Sequence, residues 1–146
     1  MSNVVVKLVD LPLEWMAIQA IRKIVFQDEQ GVSWDLDFDG FDEVCDQLIA
    51  SLDYKWVGTA RIRYLDDESA KIERLAVLPL ARGQGVGRKI MAKAMEVAAL
   101  RNVAKVVIHA QEYVKGLYEQ LGFEEVGEIF EEAGIDHVKM IKVLKT

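Results

Sequence analysis

The spacing of apolar positions changes several times along the chain, and each change marks an element. VVVKLV (4–9) is short and β-branched and reads as a strand. Ala17, Ile18, Ile21 and Val25 then recur at three- and four-residue intervals, which predicts an amphipathic helix. Asp10 is placed to cap it, Pro12 and Glu14 suit its first turn, and Gly31 ends it. QLIASL (47–52) and WVGTARIRY (56–64) flank a turn at Asp53 and Tyr54, the spacing of an antiparallel hairpin. The second strand sets Trp56, Gly58, Ala60, Ile62 and Tyr64 on one face and Arg61 and Arg63 on the other.

SAKIERLAVLP (69–79) loses its phase partway. Ala70 and Ile72 alternate, Glu73 and Arg74 arrive together, and Leu75 and Val77 resume one residue out of step. Such a slip is what a β-bulge looks like in sequence, the plainer reading being a strand with one snorkelling arginine. A helix follows over about 85–101, with Ile90, Met91, Ala94, Val97 and Ala98 inward. AKVVIHA (104–110) is a buried strand, parallel to the bulged one if that helix is a crossover. A short helix over 112–121 ends at Gly122, and FEEVGEI and HVKMIKVL are two more strands joined across EEAGID. The order predicts a mixed α/β (α+β) fold with a largely antiparallel sheet.

The bulk numbers fit one domain over 1–146. A chain of 146 residues buries roughly 70 % of its unfolded surface. With 51 % hydrophobic and 29 % charged residues it reads as globular. A net charge of −6 argues against a general nucleic-acid or anionic-membrane partner. The single cysteine, Cys45, leaves no internal disulfide and suits a cytoplasmic home. The opening apolar run is too short for a secretory leader, and none reaches the roughly eighteen residues needed to span a bilayer.

DLDFDGFDEVCD (35–46) has nearly the spacing of a calcium-binding EF-hand loop, with Asp35, Asp37, Asp39, Gly40 and Asp46 at the required positions. Against it, Gly31, Val32 and Ser33 break the helix that should enter the loop, and no second acidic loop is present. No metal site is expected here.

Arg82-Gly83-Gln84-Gly85-Val86-Gly87-Arg88-Lys89 joins a strand to a helix. Glycines let a backbone approach a ligand closely, and the first N–H groups of a helix point outward unpaired, so together they make a phosphate cradle. Arg82, Arg88 and Lys89 oppose the helix dipole there, by about 0.3–1 kcal/mol each when exposed, and a bound anion would reverse the sign. The loop lacks the hydroxyl residue of a P-loop, and GxGxG is not the GxGxxG of a dinucleotide fold. The plain alternative is a glycine-rich turn with solvated basic side chains.

The loop from Arg82 to Gly87 resembles the pyrophosphate loop of the GNAT superfamily of N-acetyltransferases, Arg/Gln-x-x-Gly-x-Gly/Ala. Leu117-Tyr118-Glu119-Gln120-Leu121-Gly122-Phe123 is similar to that family's second signature. RKIVFQDEQGV (22–32) and AGIDHVKM (133–140) look like its ElaA/YjcF-like branch. The resemblance covers nearly the whole chain. It implies about six or seven strands, about four helices and a splayed parallel strand pair. It implies acetyl-CoA as acyl donor, with Leu75, Ala76 and Val77 along the pantetheine arm and the loop Arg82, Gly83, Gln84, Gly85, Val86, Gly87 and Arg88 on the pyrophosphate. Gln111 would also touch the donor.

By the same resemblance Tyr118 would protonate the departing sulfur, and the base is either His137 or Glu73. Each of the two has a structural alternative, Glu73 in a salt bridge with Arg74 and His137 as a loop anchor. Tyr113 and His109 are taken as packing residues. The segment 35–46 becomes a solvated acidic loop that could steer a cationic amine, although Gln47 stands where many members of the branch carry a histidine. The expected activity is acetyl transfer to the primary amine of a small acceptor, and the resemblance makes a homodimer unsurprising. The competing expectation is a non-catalytic acetyl-CoA sensor on the same fold.

Overall fold

The computed structural model describes residues 3–10 and 13–144, so the expectation for Pro12 lies outside the described residues. The elements run β1 (Val4–Leu8), α1 (Leu13–Arg22), α2 (Trp34–Asp37), β2 (Asp46–Leu52), β3 (Lys55–Tyr64), β4 (Ser69–Val77), α3 (Val86–Leu100), β5 (Lys105–Gln111), α4 (Lys115–Gln120), β6 (Glu124–Glu132) and β7 (Ile135–Val143). They build a seven-stranded sheet in the order β1-β2-β3-β4-β5-β7-β6. Every pairing is antiparallel except β4 with β5. The crossover between those two is α3, as the sequence order requires.

α3 packs one face of the sheet through Val86, Ile90, Met91 and Ala94. Gly58 of β3 makes the close approach possible. A Cβ there would sit 2.8 Å from Ile90 Cδ1 and 3.2 Å from the Ala76 carbonyl oxygen.

The helix expected up to Gly31 is not uniform. α1 gives way to a π-helical turn over Lys23–Glu29, which closes on Gly31 with φ +70°. The last hairpin is tighter than expected. Its strands extend to a two-residue turn, Ala133 and Gly134, both at positive φ, and Glu132 pairs with Ile135. β6 forms one edge of the sheet, and five of its nine residues are exposed glutamates.

The acidic segment is not a solvated loop. Arg22 is 1 % exposed, and its Nε and Nη2 donate to Asp37 Oδ1 at 3.1 and 2.9 Å. Its Nη1 donates to Asp42 Oδ1 at 2.6 Å. Arg61, fully buried, donates to Asp39, to the same Asp42 oxygen and to Glu73, with Nη2 to Glu73 Oε2 at 2.6 Å. Two buried guanidinium groups need counter-charge, and residues 37–42 supply it. The EF-hand spacing therefore assembles no ligand set. Asp37 and Asp39 face arginines, Asp46 bonds Tyr64 and Arg101, and Asp35 is exposed.

Two outcomes follow from this packing. Gly58→Val should cost about 1–3 kcal/mol of unfolding free energy in urea, because the backbone carbonyl of Ala76 cannot move aside as a side chain can. The second concerns acid. Burial pushes the Asp39, Asp42 and Glu73 carboxyls up, but Arg61 acting on all three, with Arg22 at Asp42, the Phe41 N–H and Arg74 at Asp39, and Lys71 and Arg63 at Glu73, outweighs it and holds them below the usual range. Their contribution to stability is complete above about pH 5 and drains as the pH falls below about 4. Melting temperature against pH should drop steeply there, and Asp39→Asn should flatten that limb. An unaltered acid limb in the variant would show that Asp39 carries none of it.

Candidate active site

β4 and β5 are paired only from Ser69, Ala70 and Lys71 to Lys105, Val106 and Val107. Both strands continue beyond that point, to Val77 and Gln111, without meeting. The phase slip read in the sequence is the cause. Thr59 faces Ala76 and Arg61 faces Glu73, so Ala60 alone opposes Arg74 and Leu75. Arg74 sits at φ +58°, and a bulge of this kind bends its strand. A cleft of about 970 Å³ fills the gap.

One end of the cleft is the glycine loop. After β4 the chain makes a short turn over Pro79–Ala81, and α3 then starts from Gly85 with no side-chain cap. Gly83 and Gly85 lie at φ +78° and +81°, and a Cβ on either would meet nothing within 4 Å. Backbone conformation, not crowding, calls for glycine here, and the room beside the helix end stays open. The first N–H groups of a helix have no partner within it, and Gly85, Val86, Gly87 and Arg88 line the cleft. This donor set fits a phosphate group.

Two of the three basic side chains already have partners. Arg82 makes a bidentate pair with Glu29 and donates from Nε to the Val77 carbonyl at 3.0 Å, and Arg88 bonds Gln120. Lys89 is exposed and lies outside the cleft, as does Gln84, whose amide turns back to the Leu80 carbonyl. Leu75, Ala76 and Val77 line the cleft along β4, opposite Gln111 of β5, which donates to Gln30 Oε1 at 3.0 Å.

Tyr118 reaches the cleft from α4. Its side chain packs edge-on against Phe123, and its hydroxyl has no hydrogen-bond partner among the described residues. Burial pushes the phenol up to about 12, so it stays protonated at neutral pH. Tyr113 is not a packing residue: it is 74 % exposed at the cleft wall.

His137 and Glu73 also line the cleft but differ in kind. His137 lies on β7, not in a loop, and its Nδ1 is 2.7 Å from the Ile135 carbonyl oxygen. A carbonyl only accepts, so Nδ1 carries the hydrogen, and Nε2 is the nitrogen that offers a lone pair whenever the ring is neutral. Glu73 is 8 % exposed and faces Arg61, Arg63, Lys71 and Arg74, so Arg74 at 3.7 Å is the most distant of its partners rather than the only one. A carboxylate held ionised in this way supplies charge and is a poor proton acceptor.

Sequence reasoning missed Glu132. Its Oε1 lies 3.2 Å from His109 Nδ1 and its Oε2 lies 3.8 Å from His137 Nε2. His109 is itself a cleft residue rather than a buried one. The signal lay in Ala133-Gly134, a two-residue turn that makes Glu132 a strand residue facing the histidines.

Residues 42–144 match the acetyltransferase (GNAT) domain family. The protein ElaA of Escherichia coli K12 is 33 % identical over 131 residues, 86 % of this chain and 85 % of that one. The crystal structure of E. coli ElaA superposes with a TM-score of 0.83 at 28 % identity, covering 97 % of this chain and 99 % of that one. An acyl-CoA N-acyltransferase from Pseudomonas aeruginosa gives 0.79 at 29 % identity over 97 % and 99 %. A GNAT family acetyltransferase from Elizabethkingia anophelis, solved with acetyl-CoA bound, shares the fold at 17 % identity, with a TM-score of 0.73 over 97 % and 99 %.

Proposed function

The chain belongs to the GNAT acetyltransferase family, and from that premise we propose that it moves an acetyl group from acetyl-CoA to a primary amine. The observation that carries this reading is one continuous gap. It runs along the unpaired part of β4, is lined by the uncapped end of α3, and meets a tyrosine hydroxyl with no partner among the described residues. Acetyl-CoA supplies the acyl group as a thioester. The N–H groups from Gly85 to Arg88, with Gly83 leaving the backbone open, would hold its pyrophosphate. Leu75, Ala76 and Val77 would line its arm, with Gln111 opposite.

Beyond the bulge, the edge of β4 that faces β5 is unpaired, so its N–H groups are free to polarise a carbonyl oxygen as negative charge develops there. His137 takes the proton that an ammonium must lose before its nitrogen can attack. The new bond joins that nitrogen to the acetyl carbon, the carbon–sulfur bond breaks, Tyr118 gives the sulfur its proton, and the second proton shed by the nitrogen passes through solvent to restore the phenol. Glu73, fixed as an ion, contributes field rather than proton transfer, which favours His137 as the base.

Acetyl-CoA binding by calorimetry and thiol release across a panel of amines test the reading together. Tyr118→Phe should bind acetyl-CoA close to normally and lose roughly 10²- to 10⁴-fold in kcat. Tyr118→Phe at the wild-type rate would remove Tyr118 as the acid, and no heat with acetyl-CoA would overturn the whole proposal. Binding with no turnover on any amine would leave a sensor. His137→Gln should lose about 10²-fold or more near neutrality and recover with rising pH, as the amine loses its proton to solvent.

A further inference from the structure

The sheet floor near His137 narrows the choice of amine. Of the four cations around Glu73, two have other carboxylates: Arg61 has Asp39 and Asp42, and Arg74 has Asp37 and Asp39. Arg63 and Lys71 do not. Among the described residues, Glu73 Oε1 is the only carboxylate oxygen within ion-pair reach of either, 2.9 Å from Arg63 Nε and 3.6 Å from Lys71 Nζ. Even the shorter contact is misaligned, since neither Arg63 Nε nor Glu73 Oε1 completes a hydrogen bond.

The register makes this pairing costly. Arg63 and Lys71 stand directly opposite each other on β3 and β4, where like charges repel. Their side chains are only 25 % and 15 % exposed, so water screens them poorly. Both line the cleft. Two cations thus share one oxygen of a carboxylate whose other oxygen is bound by Arg61. The floor carries a local excess of positive charge.

The opposite sign lies nearby in the same cleft. Glu132 touches both histidines and lines the cleft with them. The His109 hydrogen bond does most to hold its carboxyl below the usual range. Burial works against this, and the charge of Lys71, with any charge the two imidazoles carry, adds to the lowering. This end of the cleft therefore presents a cationic pair and an anion beside the imidazole that would take the proton.

We propose that the acceptor is an amine bearing its own carboxylate, an amino-acid-like molecule. Arg63 and Lys71 receive the carboxylate, and Glu132 draws the ammonium toward His137. The chemistry rests on the acetyl-transfer reading, whereas the binding preference stands on the charges alone. A neutral amide in place of the acid leaves the cationic pair with only the shared Glu73 oxygen, and a plain alkylamine offers it nothing.

The test separates the two. Protein with and without CoA is titrated by calorimetry with free amino acids and, side chain for side chain, their carboxamides. At least one acid should bind about tenfold or more tightly than its amide. In Lys71→Gln and Arg63→Gln that ratio should collapse toward one. Equal or tighter binding of the amides, no binding of either, or a ratio that survives both substitutions overturns the proposal. The wild-type comparison needs no variant to fold. Calorimetry with acetyl-CoA alone, run in parallel, decides the acetyl-transfer reading independently.

Discussion

Burying Arg22 and Arg61 is the constraint from which much of this structure follows. A guanidinium cannot lose water without gaining carboxylates, and removing one partner from such a pair typically costs about 3–5 kcal/mol. Arg22 rides on α1, Arg61 on β3, and Asp42 Oδ1 accepts from both. That shared oxygen fixes the segment after α1 against the sheet face that α3 leaves uncovered. It also sets the state of the active-site floor, because Arg61 holds Glu73 as an ion.

The same network supports the bulge. A non-glycine residue at positive φ carries strain of order 1–3 kcal/mol and persists only where its surroundings over-determine it. Arg74 is held in that way, donating to the carbonyls of Leu36 and Asp37 and to Asp39. The acidic stretch that resembles a calcium loop thus holds the kink that parts β4 from β5. One set of ion pairs joins α1, α2 and the open cleft into a single mechanical unit.

The parts legible in sequence were those with local causes. The bulge appeared as a phase slip at Glu73-Arg74, the crossover as a long apolar stripe from Ile90 to Ala98, and the helix-end cradle as glycines flanked by basic residues. The ion network was not legible. Its partners lie far apart, Arg61 with Asp39 across 22 positions, and an acid in a string looks solvated until an arginine is folded onto it. The π-helical turn escaped because Ile21 and Val25 keep one inward face under either winding. Glu132 escaped because Ala133 at positive φ is not typical turn chemistry, so the hairpin read as a longer loop. Tyr118 and His137 line the cleft, and Gln84 does not.

The outer strand β6 bears on quaternary structure. A bare sheet edge invites a second copy to add its own strand. Here Glu124, Glu125, Glu128, Glu131 and Glu132 would crowd against the same carboxylates of the second copy, and the register break around Gly127 spoils the straight ladder it needs. Self-association of this chain through that edge is opposed by its own carboxylates, which favours another surface for any twofold assembly.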